Sequence, residues 1–506
     1  MPVDCLPDNP DLERLRAYAK TLRDLVRAGI DGSIALVREH HPRLGELTAG
    51  TPAATAFKLA DAQLTVARHY DFASWAKLRD YVQLVNRLSR SPHEARVGGP
   101  LADDASRADE LLRLGCLNYG ADDSGRLAQA DRMLVEYSHL AGWSIYTAAA
   151  TGSVRALHIV LDSDPQAAVR DGGPFAWPPL LYLTYSRLAP RSGSDPVAAA
   201  RLLLAAGADP NAGYLWEGLP SPFTALTGVF GRGEQGAPSH PYEIQLARLL
   251  LEAGAEANDS QTIYNRGAGD IARDDTEFLE LLLDHGLGRG DGGPWGRMIA
   301  HGHQTPDEIV AEALQHAAEA GLEQRTRLLL AHGVDPNRPG THPGYEGRSP
   351  YAGAVLHGNL AIAELLAAAG ADTSAVDPLT AFVGACLAGD RRAVDTARAT
   401  DQRLLSSALE QRDDLVARAA ELGRGDAVRL LVELGFDVNV RHRTTALHEA
   451  ALRGNLQLAK LLVELGADLD VVDTEWDSPP AGWARHGGHT DVADYLDGLA
   501  RLEDGA

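Results

Sequence analysis

One phrase returns along this chain. Residues 202–211 read LLLAAGADPN, residues 249–258 LLLEAGAEAN, residues 328–337 LLLAHGVDPN and residues 461–470 LLVELGADLD. LLVELGFDVN at 430–439 and LLAAAGADTS at 365–374 belong with them, and LLLDHGLGRG at 281–290 is a weaker copy. Recurrence of this kind narrows the fold to a row of like elements, because one copy has too little apolar surface to stand alone and must bury it against the next. The 506 residues would also accommodate three or four ordinary domains, but stacked copies escape the size limit on a single core.

The upstream half of the unit is best preserved near residue 445, where Thr445, Ala446, Leu447 and His448 open TALHEAALRGNLQLAKLLVELGAD, and Ser478-Pro479 restarts a copy 33 residues later. Glycines keep a fixed distance of 12 residues within the copies: Gly321 to Gly333, Gly358 to Gly370, Gly423 to Gly435 and Gly454 to Gly466. Each feature has a mechanical reason. Thr or Ser followed by Pro caps and starts a first helix, small Ala pairs let two helices approach, and Gly ends the second helix in a left-handed turn. The Leu triplet buries one helical face against the neighbouring copy.

This pattern resembles the ankyrin family's TPLHxAAxxGHxxVVxLLLxxGADxN, over roughly residues 141–500 and about nine or ten units. The resemblance implies an all-α ankyrin-repeat solenoid, preceded by a small helical N-terminal domain, whose concave face and turns bind a partner. It also implies a structural role for His448, whose imidazole would bond the backbone of the adjacent turn. Two Gly intervals, 207 to 254 and 286 to 333, are 47 residues long, so insertions are expected near 172–240 and 287–305.

Residues 1–95 read as a helical N-terminal domain or cap. Apolar residues run at helical spacing from Leu15 to Ile30, and the segment FKLADAQLTVARHYDFASWAKLRDYVQLV suggests helix, short turn, helix, with Ser74 as N-cap. A DNA-reading helix pair over residues 55–90, using Arg68, Lys77 and Arg79, is an alternative, but Trp75 and Leu78 are spent on packing. The Pro- and Gly-rich run at 91–104 reads as a linker, and residues 96–140 as linker and lead-in helices.

Charge narrows the partner. The chain holds 47 basic and 70 acidic residues, net −23; residues 1–95 carry 13 basic and 12 acidic side chains, which leaves −24 on residues 96–506. Such a surface opposes nonspecific attachment to nucleic acid or anionic membrane and favours a protein partner with a basic surface. Cys5, Cys116 and Cys386 lie too far apart for a disulfide framework or a zinc site, the N-terminus lacks a signal-peptide pattern, and no stretch approaches 18 apolar residues, so reduced thiols and a cytoplasmic location are expected.

The densest candidate surface lies between 175 and 264, which holds ten of the 29 Phe, Trp and Tyr residues. Many sit in loops, GPFAWPP, AGYLWEGLPSPF and GVFGRGEQGAPSHPY, where exposure is expected and where aromatics with nearby Arg make binding hot spots. The expected binding residues are Trp177, Tyr182, Tyr214, Trp216, Phe223, Phe230, Arg232, Glu234, Tyr264 and Arg266. A competing reading makes Tyr182, Tyr185 and Phe223 repeat-core residues. The alternative is an enzyme or small-molecule binder using a cleft formed by the 210–240 insertion, in which Glu217 and Glu234 with His240 nearby would be the acid–base pair. The glycines from 228 to 236 lack a P-loop Lys and follow a predicted helix. His301, His303, His40 and His41 lack metal-ligand spacing. Neither catalysis, metal nor cofactor is expected.

Overall fold

A computed structural model describes residues 6–7, 9–95, 103–120, 122–233, 237–268, 274–299 and 302–503. The fold is all-α apart from one small sheet, and the chain divides into two compact units, Met1–Asp270 with Glu277–Ile309, and Ile271–Thr276 with Val310–Ala506.

In the second unit the helix pairs follow the repeat. Pro350–Leu356 pairs with Leu360–Ala368, Leu415–Glu421 with Gly425–Glu433, Ala446–Leu452 with Leu456–Glu464, and Pro480–His486 with Thr490–Glu503. First helices pack on first helices: 415–421 against 446–452, and 446–452 against 480–486. The Leu stripes fill the space between, with Leu430, Leu431, Leu447 and Leu462 each at most 2 % exposed in one continuous core. Caps are local. Ser349 accepts from Ala352 N ahead of Pro350, and Asp377 accepts from the backbone of Leu379 and Thr380 ahead of Pro378. Each of Gly333, Gly370, Gly435 and Gly466 sits at φ between +81° and +99° with open space around a Cβ, so the backbone turn alone demands glycine there.

Gly384 is different. It lies in Pro378–Ala388, which packs on Pro350–Leu356, and a Cβ at this position would meet the Val355 carbonyl oxygen well inside van der Waals distance. Gly384→Val should cost about 3 kcal/mol by overpacking, read as a lowered urea midpoint. Gly498→Ala, with nothing near its Cβ, should be neutral or stabilising by about 0.5–1 kcal/mol. Equal midpoints for the two variants would refute the close approach.

A side-chain ladder ties successive turns. Asn211 Nδ2 donates to Gly254 O (2.9 Å) and its Oδ1 accepts from Glu256 N (2.8 Å). Asn337 does the same with Gly370 O and Asp372 N, and Asn439 with Gly466 O and Asp468 N. Asn258 repeats it with Gly286 O and Gly288 N, even though the copy it reaches is the weak one. The acidic residue two places earlier, such as Asp335 or Asp437, accepts the Asn backbone N–H and sets the turn. His448 behaves as the resemblance implies: Thr445 N and Oγ1 lie 3.2 and 2.8 Å from Nδ1, and Nε2 lies 3.0 Å from Ser478 O in the next turn.

The first unit stacks in the same way. First helices 104–115, 145–150, 179–185, 225–230 and 260–268 pack in sequence, so the stacking begins one pair before the first recognisable copy. Among the described residues before it, five α-helices, Leu12–Arg27, Asp31–His40, Pro52–Thr55, Leu59–His69 and Trp75–Leu88, pack around Leu22, Val26, Val66, Leu78 and Val82.

The sheet was not expected. Ser89–Arg90 pairs in parallel with Leu215 and Trp216, and Gly213–Trp216 pairs antiparallel with Pro222–Thr224. Beneath it Val85, Leu215, Trp295 and Ile299 form a separate small core, with Tyr81, Leu84 and Leu88 packed against it. Leu215 and Trp295 come from the two insertions, and Trp295 Nε1 also donates to Asn211 O (2.9 Å). The enlarged repeats thereby seat the last helix of the N-terminal segment. Cys116 and Cys386 are free and buried, and burial pushes both thiols up to about 12; Cys5 lies outside the described residues.

Candidate functional site

The first unit gathers its aromatics around one turn. Gly172 and Trp177 exchange two backbone hydrogen bonds, 3.0 and 3.1 Å, and Tyr182 Oη accepts from Phe175 N and donates to Gly172 O (3.0 and 2.8 Å). This folds the turn back over its own first helix. Trp177 then lies 5.0 Å from Tyr185 and 5.0 Å from Tyr214, nearly parallel to the latter, and Tyr214 continues to Phe223 at 5.6 Å. Tyr185 Oη donates to Thr224 O (3.0 Å). Burial raises the Tyr182, Tyr185 and Tyr214 hydroxyls above their ordinary pKa, so they stay neutral.

The expectation that the loop aromatics face solvent is therefore corrected for Trp177, Tyr214 and Phe230, while Tyr182, Tyr185 and Phe223 are buried as the competing repeat-core reading has it. Trp177, Tyr182, Tyr214, Phe223 and Phe230 are each at most 4 % exposed. The aromatics of the described loop residues fold inward and pack on one another and on the first helices. Trp216 is half-buried, its ring stacked on His93 (4.9 Å) and its Nε1 donating to Asn118 O (3.3 Å). Arg266 is buried, 3.6 Å from Glu243 and above the Phe278 ring. Arg232 is partly buried, and Tyr264 alone of the expected aromatics is strongly exposed, at 64 %. Glu234 lies outside the described residues, and with it the proposed Glu217–Glu234 pair. His240 is buried: its Nδ1 accepts from Tyr242 N (3.1 Å), and burial together with nearby Arg187 holds its pKa well below the usual histidine value.

What the cluster leaves open is a cleft of about 290 Å³. Trp177, Tyr214 and Trp295 line it, with Asp171, Asp209 and Arg90 among its polar residues. Asp171 and Asp209 are exposed. Arg90 comes from the N-terminal segment, 3.6 Å from Asp171, and donates to the carbonyls of Ala176, Arg87 and Ser89. Trp177 and Tyr214 were expected at a binding site; Asp171, Asp209, Arg90 and Trp295 were missed. Asp209 carried a signal, since it belongs to the GADPN turn, and turns are where binding side chains gather.

Two further clusters stand apart. His93, Glu94 and Glu217 hold ligand-type atoms within 4.8 Å of one another. His93 Nε2 lies 3.3 Å from Glu217 Oε1, a contact that fastens the N-terminal segment to the 217 turn. In the second unit Trp476 is 64 % exposed at a turn tip, 5.4 Å from the buried Trp483, with Arg443 over both rings. Asp473 braces that tip by accepting from Glu475 N, Trp476 N, Ser478 N and Trp483 Nε1. Burial of Asp473 works to raise its pKa, but these donors prevail and hold it well below the usual carboxylate range.

Among the described residues no helix is long and apolar enough to cross a membrane. A family model described as ankyrin repeats, in three copies, matches residues 385–473. No curated protein is matched by the chain. Ankyrin repeats of this kind are typically non-enzymatic protein–protein interaction modules.

Proposed function

We propose that this ankyrin-repeat protein recognises a protein partner with a basic surface, and that the cleft beside Trp177, Tyr214 and Trp295 is a point of contact. The observation that carries the reading is the cleft itself: turns at 168–178 and 208–214, where repeat proteins present binding residues, converge there with the 294–298 segment around two exposed carboxylates and the exposed side chains of Val169 and Met298. The −24 charge of residues 96–506 supports a basic partner by long-range steering. The exposed Trp476 beside Arg443 is a second anchor of hot-spot composition. The N-terminal helices act as a fitted part of the array, not as a DNA reader; Leu78 and Val82 of the would-be reading helix are fully buried in their own core.

The test uses the tagged full chain in extract of its source cells, with captured proteins quantified by mass spectrometry. Asp171→Arg with Asp209→Arg changes two exposed rim residues and should reduce capture of the specific partner at least about tenfold, since like-charge contacts at an interface cost several kcal/mol. Trp476→Ala should reduce it by a comparable factor. Undiminished capture by both variants would remove the support for this reading.

A further inference from the structure

The cleft has a chemistry more specific than its place in the repeats. Of its lining residues Trp177, Tyr214 and Trp295 are buried, each at most 7 % exposed, whereas Val169 and Met298 leave apolar surface open, at 45 % and 41 %. Two exposed carboxylates, Asp171 and Asp209, belong to the same lining. The one cation among the lining residues, Arg90, gives most of its donors to the carbonyls of Ala176, Arg87 and Ser89, and its contact to Asp171 is long at 3.6 Å. An ionised carboxylate accepts several hydrogen bonds at once, so Asp171 keeps capacity for a second donor. The volume, about 290 Å³, sits at the small end of ligand pockets. That suits one long side chain.

From this we infer that the cleft takes the side chain of an arginine or lysine from the partner, its charged head against Asp171 and Asp209 and its stem along Val169 and Met298. Arg90 is an internal precedent, a guanidinium already delivered to Asp171 by another segment of the chain. The inference rests on the partner-binding reading above and adds the identity of the group recognised. Arginine fits better than lysine where it can reach both carboxylates, because its planar fork offers five donors.

A small probe tests this without the partner. N-acetyl-arginine methylamide is titrated into the full chain, and the indole N–H resonances of Trp177 and Trp295, assigned by Trp→Phe substitution, are followed by NMR. Saturable shifts are expected with a dissociation constant on the order of 1 mM. The neutral isostere N-acetyl-citrulline methylamide should bind at least about fivefold more weakly, as should the arginine probe to Asp171→Asn with Asp209→Asn, because the charge-assisted contacts are lost. Thermal unfolding of that double variant should match the parent, since both residues are exposed. Equal binding of arginine and citrulline probes, or no saturable shift of either indole, overturns the assignment. If that happens while partner capture still falls with the charge reversals, the cleft rim touches the partner but no basic side chain enters. If the probe binds and capture is insensitive, the partner-binding reading fails and the cleft is a site for a free cationic small molecule.

Discussion

Arg187→Met is expected to lower the stability of the first unit by about 4 kcal/mol, the largest effect of any single substitution considered. Arg187 is 5 % exposed, and its guanidinium donates to five carbonyls: Pro238 (2.9 Å), Thr184 (3.1 Å), Ser186 (2.8 Å), Gly228 (2.8 Å) and Gly231 (2.6 Å). Three of these carbonyls, of Gly228, Gly231 and Pro238, belong to the inserted loop and the helix before it, so one side chain ties both described ends of the loop to the 179–185 helix. Burial pulls its pKa down to about 10, which still leaves it charged at neutral pH. Methionine fills a similar volume but strands five acceptors in a site closed to water, and each buried orphan costs about 1–3 kcal/mol before relaxation. Arg187→Lys should recover only part of the loss, because an ammonium offers three donors where the guanidinium offers five. The measurement is urea unfolding followed by near-ultraviolet circular dichroism, a signal dominated by packed Tyr and Trp. Arg391→Met provides the contrast. Its pair with Glu433 is about half exposed on both sides, so its removal should change stability by less than about 1 kcal/mol. Were Arg187→Met to unfold at the parent's midpoint, the five-carbonyl arrangement would be wrong.

The second large effect is loss of stability on mild acidification, beginning near pH 6.5. His240 in the first unit and His448 in the second are both buried, at 4 % and 0 % exposure, and burial lowers the pKa of each. In both, Nδ1 accepts a hydrogen bond, from Tyr242 N in one and from Thr445 in the other, so the fold is built around the neutral ring. In the unfolded chain histidine titrates near 6.5. Above that value both states are neutral and the stability is fully present. As pH falls below it, the unfolded chain takes up protons that the folded chain refuses, and stability drops toward a limit of about 1.4 kcal/mol per pH unit for each such histidine. Asp473, held well below the usual carboxylate range, adds nothing between about pH 6.5 and 5, while Asp109 and Asp259, which burial shifts upward, oppose the histidines by taking up protons more readily in the folded chain. His448→Gln, whose amide can accept at one end and donate at the other, should flatten the acid limb in the second unit. A stability profile level from pH 7.5 to 5 would show that these histidines are not held neutral.

The repeat was readable because its determinants are local. A capping Ser or Thr, a Leu triplet and a terminal Gly each act within a turn or two, and Gly370, Gly435 and Gly466 adopt the left-handed conformation that their spacing implies. His448 was readable for the same reason. The aromatics at 175–230 were not, because whether Trp177 or Tyr214 faces solvent depends on a loop folding inward, a decision made by Tyr182 bonding Gly172 and by Trp295 arriving from residues some 80 positions away. The sheet was hidden for a related reason. Two residues, Ser89 and Arg90, show no alternation, and their parallel partner stands more than 120 positions downstream. Asp171 and Arg90 drew no notice, since isolated charges are ordinary on any surface and only the cleft relates them.

The asparagine ladder carries one last implication. Three of the turns its rungs reach hold something else at the matching place, Gly290, Ser374 and Asp470, and none of these side chains offers both an amide donor and a carbonyl acceptor. Pulled from its ends, such a chain would not give way at random. Within the second unit, rupture should begin after 374, where the rung is missing, before the joint that Asn439 rivets to the 466–470 turn gives way.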